Sequence, residues 1–370
     1  MQQEDSTKNV RLNEQFFFKN QSSGWNSKEN LLPFKNLSDQ DVITLVNHAL
    51  LGNSKHATSY KYVFFKSILD NLFNVDLDSK SECFLNFDSI SLRFAEIYWN
   101  LILRFKLKQM PENTNGKKSV IEKILFDFCD KYGYSTTETE FAFEGLKSEQ
   151  QLELANNIKK SVVTKYVLGA FCADSQWQFY HFSKTQKWEG IYLNKDFFLT
   201  LAKYRSDFEK INYFEWIKYL ESINKEEDSY QLASKLDKST ERKNLDSYRK
   251  ALFEFGQETC FYCGKKLSRT AFGNAVDHFI PWSFVKDDKL WNFVLACPIC
   301  NSRKSDKLAS QVFLSNLRLR NEKLIGKIHP FVQKEFRSYT YSKLALMYSN
   351  AAFNGFESGW EPINLSHSFR

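Results

Sequence analysis

The sequence predicts an α+β protein, in which a mainly α-helical N-terminal domain precedes a smaller ββα unit. Three observations indicate this fold. Apolar residues recur at helical spacing through much of the chain before residue 256, two short β-branched and aromatic runs lie at 276–280 and 292–296, and two C-x-x-C pairs enclose those runs. The chain has 370 residues, which is more than one domain usually contains, so we expect two or three domains.

The helical pattern begins after residues 1–30, a polar and poorly patterned stretch that we interpret as a flexible arm. Ser38 and Asp41 form a capping-box pattern, and Gly52 follows the apolar run after them, where a helix end is expected. The segment 88–107 repeats apolar residues on one helical face. Further helices are predicted at 59–73, 118–132, 148–171, 195–222 and 242–256, and two short strands are predicted at 177–182 and 191–193.

The segment 225–244 is rich in charge and poor in large apolar side chains, so we interpret it as a linker. It would separate a mainly helical recognition or partner domain at 31–224 from the ββα domain at 245–320, and 321–370 would form a basic helical extension. The isolated His and Cys residues of the helical domain are interpreted as surface or core residues.

The net charge of +7 is concentrated near the C-terminal end of the chain. Residues 246–370 hold 18 Lys and Arg against 11 Asp and Glu, whereas the other 245 residues are balanced. A basic segment of this kind favours a nucleic-acid partner, although a solvated surface with a chance asymmetry is the alternative. The sequence lacks a run of 18 apolar residues and a signal-peptide pattern, so we predict a cytoplasmic protein without a membrane partner. Its oligomeric state is not predicted.

The two C-x-x-C pairs are 33 residues apart and can present four sulfurs to one ion. Four thiolates complete a tetrahedral Zn²⁺ site with no open position, so we predict a zinc ion that holds the fold and takes no part in chemistry. Four unrelated buried cysteines are the alternative. The predicted zinc ligands are Cys260, Cys263, Cys297 and Cys300.

The residues between the cysteine pairs are typical of a hairpin followed by a helix. Pro281 ends the first strand, and Pro298 suits the first position of a helix. Asp277 and His278, as neighbours on a strand, are expected to point to opposite sides. Asn301 is expected in the first turn of that helix, on the same face as Lys304.

These residue types match what phosphodiester hydrolysis requires, which is a base for water and positive charge at the phosphate. Asp277 and Asn301 can offer a carboxylate and an amide oxygen to Mg²⁺ or Mn²⁺. His278 is the histidine within this unit and is the candidate general base, with Asn292 as the residue that orients it. Further candidates, for contact with nucleic acid, are Arg303, Lys304, Arg318 and Arg320.

The run from Val276 to Asp288, followed by Asn292, Asn301 and Lys304, resembles the HNH, or ββα-metal, endonucleases. It is most similar to the HNH domain of RNA-guided CRISPR effector nucleases. The two C-x-x-C pairs instead resemble those of zinc-bearing HNH proteins among restriction and mobile-element enzymes. The resemblance implies hydrolysis of a DNA strand, with Asp277 and Asn301 on the metal, His278 as base and Asn292 as its orienter. The family accepts either Asn or His at the position of Asn301.

The sequence therefore predicts a metal-dependent HNH endonuclease that cuts DNA, acting as the nuclease effector of a prokaryotic defence or restriction system. Two alternatives stay open. In the first, the chain is a nuclease subunit of a larger complex, such as an RNA-guided one, and binds a protein or RNA partner through its helical domain. In the second, the chain is a non-catalytic, zinc-stabilised module that binds nucleic acid.

Overall fold

The structure is a computed structural model that describes residues 24–51, 57–77, 83–111, 118–137, 142–239, 245–270 and 273–363. It divides into two compact units, and each unit draws on more than one stretch of the chain. The first comprises residues 1–67, 84–197 and 212–239, and the second comprises 68–83, 198–211 and 240–370. No helix among the described residues is long and apolar enough to cross a membrane.

The first unit is mainly helical. Ser38 and Asp41 form the predicted capping box, since Asp41 N donates to Ser38 Oγ at 3.2 Å and Ser38 N donates to Asp41 Oδ2 at 2.9 Å. The helices that lie within this unit are Asp39–Leu51, Phe87–Tyr98, Val120–Tyr132, Ser148–Ile158, Leu168–Asp174 and Ser229–Lys238. Three helices contribute residues to both units, namely Tyr60–Asp70, Lys195–Lys203 and Arg205–Ile223.

Two of the predicted helices differ from the observed ones in the same way. The segments predicted at 88–107 and 148–171 begin as α-helix and continue as π-helix over Trp99–Arg104 and Lys159–Val167. The helix predicted at 195–222 is interrupted at Tyr204. Gly52, the predicted helix end, lies outside the described residues.

A small sheet completes the first unit. The two predicted strands are confirmed as Tyr180–Ser183 and Gly190–Leu193, which pair antiparallel with Tyr180 opposite Leu193. The sequence did not predict the strands Glu29–Asn30 and Cys83–Asn86, which flank this pair on either side.

Asn30 fixes the start of the described chain in this sheet. Its buried side chain donates to the carbonyls of Trp177 and Tyr180, both at 2.9 Å. Residues 24–30 of the predicted arm are therefore held in the first unit, and 1–23 lie outside the described residues. Of the predicted linker, Ser229–Lys238 is helical and 240–244 are not described. The predicted domain boundaries stay a prediction.

The second unit contains the hairpin and helix predicted from the cysteine-rich segment, which confirms an α+β fold. The hairpin strands are Ala275–His278 and Phe293–Ala296, and the helix after them is Pro298–Lys304. Around them lie the strand Asp76–Leu77 and the helices Asp246–Glu254, Trp282–Val285, Gln311–Ile325, Pro330–Glu335 and Tyr341–Phe353. Short 3-10 turns occur at Leu72–Asn74 and Leu290–Asn292.

Residues from early in the chain are built into the second unit. Lys343 is fully buried and donates to the carbonyls of Val75 at 2.6 Å and Phe73 at 3.2 Å, and also to that of Ser338. Burial lowers the pKa of Lys343 to about 8. The Phe73 ring stacks on Trp291, with ring centroids 5.1 Å apart. Segment 68–83 is therefore part of the core that supports the hairpin.

Candidate active site

The hairpin presents Asp277 and His278 from one strand. Asp277 pairs with Val294 and His278 with Phe293 across the two strands. Neighbouring residues of a strand point to opposite faces, and these two side chains indeed contact different groups. Both are buried, with 6% of Asp277 and 3% of His278 exposed, so the hairpin holds a carboxylate and an imidazole largely shielded from water.

Asp277 lies between a lysine and a tyrosine. Lys304 Nζ lies 3.0 Å from Asp277 Oδ2, and Tyr262 donates its hydroxyl to the same oxygen. Burial raises the pKa of Tyr262 well above its usual value, and the negative charge of Asp277 adds to this effect. Tyr262 therefore remains a neutral donor, and the Asp277 carboxylate is compensated by a buried cation.

The sequence predicted Lys304 as a contact for nucleic acid, and the structure places it in the interior of the unit. Its side chain is fully buried, and its ammonium donates to the carbonyl of His278 at 2.8 Å as well as binding Asp277. The helical face shared by Asn301 and Lys304 packs against the hairpin strand, and helix periodicity alone does not show which way that face turns.

His278 contacts a second carboxylate, which sequence reasoning did not assign. Its Nε2 lies 2.8 Å from Asp288 Oδ1, and its ring packs edge-on against Phe293 with centroids 4.5 Å apart. The Asp288 side chain is only 10% exposed. The chain turns at Lys286, two positions before Asp288, where the backbone is in the left-handed conformation with φ of 52°. The available sequence signal was the acidic pair Asp287 and Asp288, nine and ten positions after the histidine.

Asn292 holds the chain just after the first hairpin strand. Its Oδ1 accepts from the backbone N–H of Ile280 and its Nδ2 donates to the Ile280 carbonyl, both at 3.0 Å. The side chain is 1% exposed. Asn292 therefore fixes the backbone two residues beyond His278, and no contact of its amide with the imidazole is found among the described residues.

Replacing Asn292 by alanine is expected to lower the free energy of unfolding by about 2 to 3 kcal/mol, because it leaves a buried N–H and a buried carbonyl without partners. Chemical denaturation of the zinc-loaded protein measures the change. The matched control is Asn316→Ala, at an exposed position on the helix Gln311–Ile325, which should change the value by less than about 0.5 kcal/mol. Equal stability of the two variants would contradict this role.

Asn301 lies in the helix Pro298–Lys304, where it is half-buried one turn before Lys304. Cys297 caps this helix, because its Sγ accepts from the backbone N–H of Cys300 at 3.4 Å, and Pro298 occupies the first position. The helix packs on the strand that carries Asp277. Asn301 therefore lies on the same helix as Lys304, and Lys304 binds Asp277.

The four predicted cysteines come together. The sulfur atoms of Cys260, Cys263, Cys297 and Cys300 all lie within 4.8 Å of one another. A tetrahedral zinc with Zn–S bonds of about 2.3 Å requires sulfurs about 3.8 Å apart. The measured separation of the Cys263 and Cys297 sulfurs is 3.8 Å, so this donor set fits Zn²⁺.

The pKa values of three of the thiols are shifted in different directions. Burial raises the pKa of Cys260 and of Cys300. Burial also opposes ionisation of Cys297, but hydrogen bonds with Cys300, Cys263 and Cys260 together outweigh it and lower the pKa of Cys297. The turn that carries Cys260 and Cys263 ends at Gly264. Its φ of 72° is left-handed, and its N–H donates to the Cys260 carbonyl at 2.9 Å.

The predicted arginines occupy different environments. Arg303 is exposed on the short helix, and Arg318 is exposed and pairs with Glu322 at 2.7 Å. The Arg320 guanidinium lies inside the unit and reaches the carbonyls of Leu290 and Trp291 only at 3.5 Å. Burial lowers the pKa of Arg320 to about 9. Arg318 and Arg320 therefore do not share one exposed surface.

The geometry, a hairpin and helix that carry Asp277 and His278 and adjoin a four-cysteine cluster, can be compared with known families. Residues 260–310 match the HNH endonuclease family model. No curated protein and no solved structure matches the chain. The match spans both cysteine pairs and the whole hairpin and helix, so it confirms the resemblance of this segment to HNH endonucleases. It supports a nuclease function for the HNH domain and a nucleic acid as its substrate.

Proposed function

We propose that the HNH domain hydrolyses phosphodiester bonds of DNA with the help of Mg²⁺ or Mn²⁺. The observation that carries the proposal is the buried His278 imidazole, fixed at 2.8 Å from Asp288 on the same hairpin that carries Asp277. An imidazole held by a carboxylate is suited to accept a proton from an attacking water. The family match supports the same assignment.

Asp277 and Asn301 offer the oxygen donors that a hard divalent cation prefers. Mg²⁺ prefers oxygen ligands and retains several waters, so the Asp277 carboxylate and the Asn301 amide oxygen would suffice to hold it. The ammonium of Lys304, 3.0 Å from Asp277, already neutralises this carboxylate, so a bound cation would share Asp277 with Lys304 or displace the ammonium. When bound, the cation would supply positive charge to the scissile phosphate.

The protein side chains have separate roles in this proposal. His278 Nε2 lies 2.8 Å from Asp288 Oδ1, so the carboxylate orients the ring that accepts a proton from water in this proposal. Lys304 fixes the strand by binding both the Asp277 carboxylate and the His278 carbonyl. Asn292 positions the turn after the strand. Tyr262, with its raised pKa, orients Asp277 as a neutral donor.

The test is an incubation of purified protein with supercoiled plasmid and Mg²⁺. Nicked or linear DNA is expected, and chelation of Mg²⁺ should prevent it. A parallel assay with single-stranded RNA reports whether RNA is also cut. Binding of DNA without cleavage in either Mg²⁺ or Mn²⁺ would favour the non-catalytic module.

Asp288→Asn is expected to lower kcat by about 10- to 100-fold, since the amide cannot hold the imidazole as the carboxylate does. KM for DNA and the melting temperature should change little, because Asp288 acts on His278 and not on the substrate. Plasmid cleavage rates over a range of DNA concentrations separate the two constants. Asp288→Glu, which keeps a carboxylate, should recover part of the loss.

The control for Asp288 is its neighbour. Asp287 accepts from Asn74 Nδ2 at 3.2 Å and does not contact His278 among the described residues. Asp287→Asn should therefore leave kcat within about twofold of the original protein. If the two Asn variants lose the same activity, the carboxylate of Asp288 has no specific role in positioning the imidazole.

We further propose that the cysteine cluster binds one structural Zn²⁺ and that the protein is a cytoplasmic nuclease of prokaryotic defence or restriction. The donor set supports the zinc ion, and the resemblance to restriction and mobile-element enzymes supports the defence role. A cell expressing the protein should resist phage infection, and His278→Ala should remove the resistance. Co-purification of RNA or another protein with the first unit would favour a larger complex.

A further inference from the structure

Two helices outside the hairpin hold the loop that carries Asp288. This loop, 286–289, connects the helix Trp282–Val285 with the 3-10 turn Leu290–Asn292. Tyr248 reaches it from the helix Asp246–Glu254, and Glu335 reaches the start of the 3-10 turn from the helix Pro330–Glu335. Both contacts are made to the main chain, so they act on the path of the loop.

Tyr248 binds the backbone of Asp288 itself. Its hydroxyl donates to the Asp288 carbonyl at 3.2 Å, and its ring packs edge-on against Phe293 with centroids 4.7 Å apart. Phe293 is also the ring against which His278 packs, at 4.5 Å. Burial raises the pKa of Tyr248 well above its usual value, and nearby carboxylates add to this effect, so the phenol remains a neutral donor.

Glu335 holds the chain two residues after Asp288. Its Oε2 accepts from the backbone N–H of Leu290 at 3.1 Å, where the 3-10 turn begins. Burial raises the pKa of Glu335, while the charge of Lys289 and the bond from Leu290 favour its ionised form. The carboxylate lies next to the Tyr248 hydroxyl, so the two supporting side chains interact with each other as well as with the loop.

The contact between Asp288 and His278 requires that the loop be fixed. Hydrogen bonds between nitrogen and oxygen in proteins have lengths of about 2.7 to 3.2 Å, and this contact measures 2.8 Å. The loop lies outside the paired residues of the two hairpin strands, so the bonds between those strands do not hold it. A movement of the loop by about 1 Å would therefore break the contact.

We propose that Tyr248 and Glu335 are positioning residues, which hold this loop so that the Asp288 carboxylate meets the His278 imidazole. Their effect on cleavage rests on the proposed function, whereas the placement of the imidazole does not depend on cleavage. The proposal also gives the predicted basic extension at 321–370 a part in the site, through one of its acidic residues.

The test compares Tyr248→Phe with Tyr348→Phe, each of which removes one hydroxyl and keeps the ring. Tyr348 is the matched control, because it is buried in the same unit and its hydroxyl also donates to a carbonyl, that of Ala309 at 2.6 Å. Tyr248→Phe should lower kcat about 3- to 10-fold, the value of one hydrogen bond, and leave KM for DNA within about twofold. Tyr348→Phe should leave both constants within about twofold.

Two further readouts do not require cleavage. Nuclear magnetic resonance of isotopically labelled histidine rings, with His278 assigned from the His278→Ala variant, should show a shifted His278 signal in Tyr248→Phe and an unshifted one in Tyr348→Phe. Hydrogen exchange at the Leu290 amide, measured without Mg²⁺, should be at least about tenfold faster in Glu335→Leu. Glu335→Gln, which keeps an oxygen acceptor, should exchange nearly as slowly as the original protein.

Melting temperatures establish that each variant is folded, and Tyr248→Phe, which removes a single oxygen atom, keeps the test decisive if Glu335→Leu does not fold. If the original protein does not cleave DNA but Tyr248→Phe still shifts the His278 signal, the proposed function fails and the positioning role stands. If Tyr248→Phe and Tyr348→Phe leave the His278 signal equally unchanged, the positioning role is overturned.

Discussion

Replacing His278 by alanine is expected to slow plasmid cleavage by about 10²- to 10⁴-fold, the usual contribution of a general base. The imidazole is 3% exposed and sits within hydrogen-bond distance of Asp288, and its loss removes the proposed proton acceptor. DNA binding without Mg²⁺ should change less than twofold. First-order rates of loss of supercoiled plasmid, measured with and without Mg²⁺, provide the comparison.

The matched control is His329→Asn. His329 is exposed, and its Nδ1 accepts from the backbone N–H of Phe331 at 3.2 Å at the start of a short helix. Asparagine can replace that cap, so the folded state should persist and cleavage should proceed at the original rate. Cleavage by the His278 variant at the rate of this control would remove His278 from the mechanism.

The double variant Cys297→Ser/Cys300→Ser is expected to lose zinc, the folded state of the HNH domain and all measurable cleavage. Apparent zinc-binding free energies in zinc-finger peptides are about 10 to 16 kcal/mol, as large as the total stability of many domains. Both replaced residues lie at the start of the helix that carries Asn301 and Lys304. Loss of the ion should therefore disturb the proposed catalytic residues through that helix.

Atomic absorption measures the zinc content, and circular dichroism and plasmid cleavage measure the consequences. The control is Cys129→Ala, a fully buried cysteine in the helix Val120–Tyr132 of the first unit. This variant should retain one zinc per chain and its nuclease activity. Retention of zinc and of cleavage by the double serine variant would show that the cluster is not a metal site that supports the fold.

The parts of the site that the sequence predicted are those set by local chemistry. The hairpin, the helix that begins at Pro298 and the four-cysteine cluster follow from alternation, from the fixed φ of proline and from the C-x-x-C spacing. Each of these signals is complete within a few residues. They also sufficed to recognise the family that the comparison confirms.

The parts that the sequence did not reveal depend on packing between distant segments. The contact between Asp288 and His278 depends on the left-handed turn at Lys286, which brings a loop carboxylate back to the strand. Burial of Lys304 depends on which face of its helix meets the hairpin. The membership of 68–83 and 198–211 in the second unit depends on contacts that span most of the chain, and no periodicity in either segment indicates them.

The long sequence separation of these contacts determines how late in synthesis the second unit can finish folding. Lys343 is anchored on the carbonyls of Phe73 and Val75, about 270 positions earlier, and Arg205 forms a buried ion pair with Asp70 at 2.9 Å. Contacts of such sequence separation form late, after the intervening chain has been synthesised. A truncated product that ends before Tyr341 therefore lacks part of the core around the hairpin that carries Asp277 and His278, and an isolated fragment 245–370 lacks the early strand and helix ends that belong to the same unit.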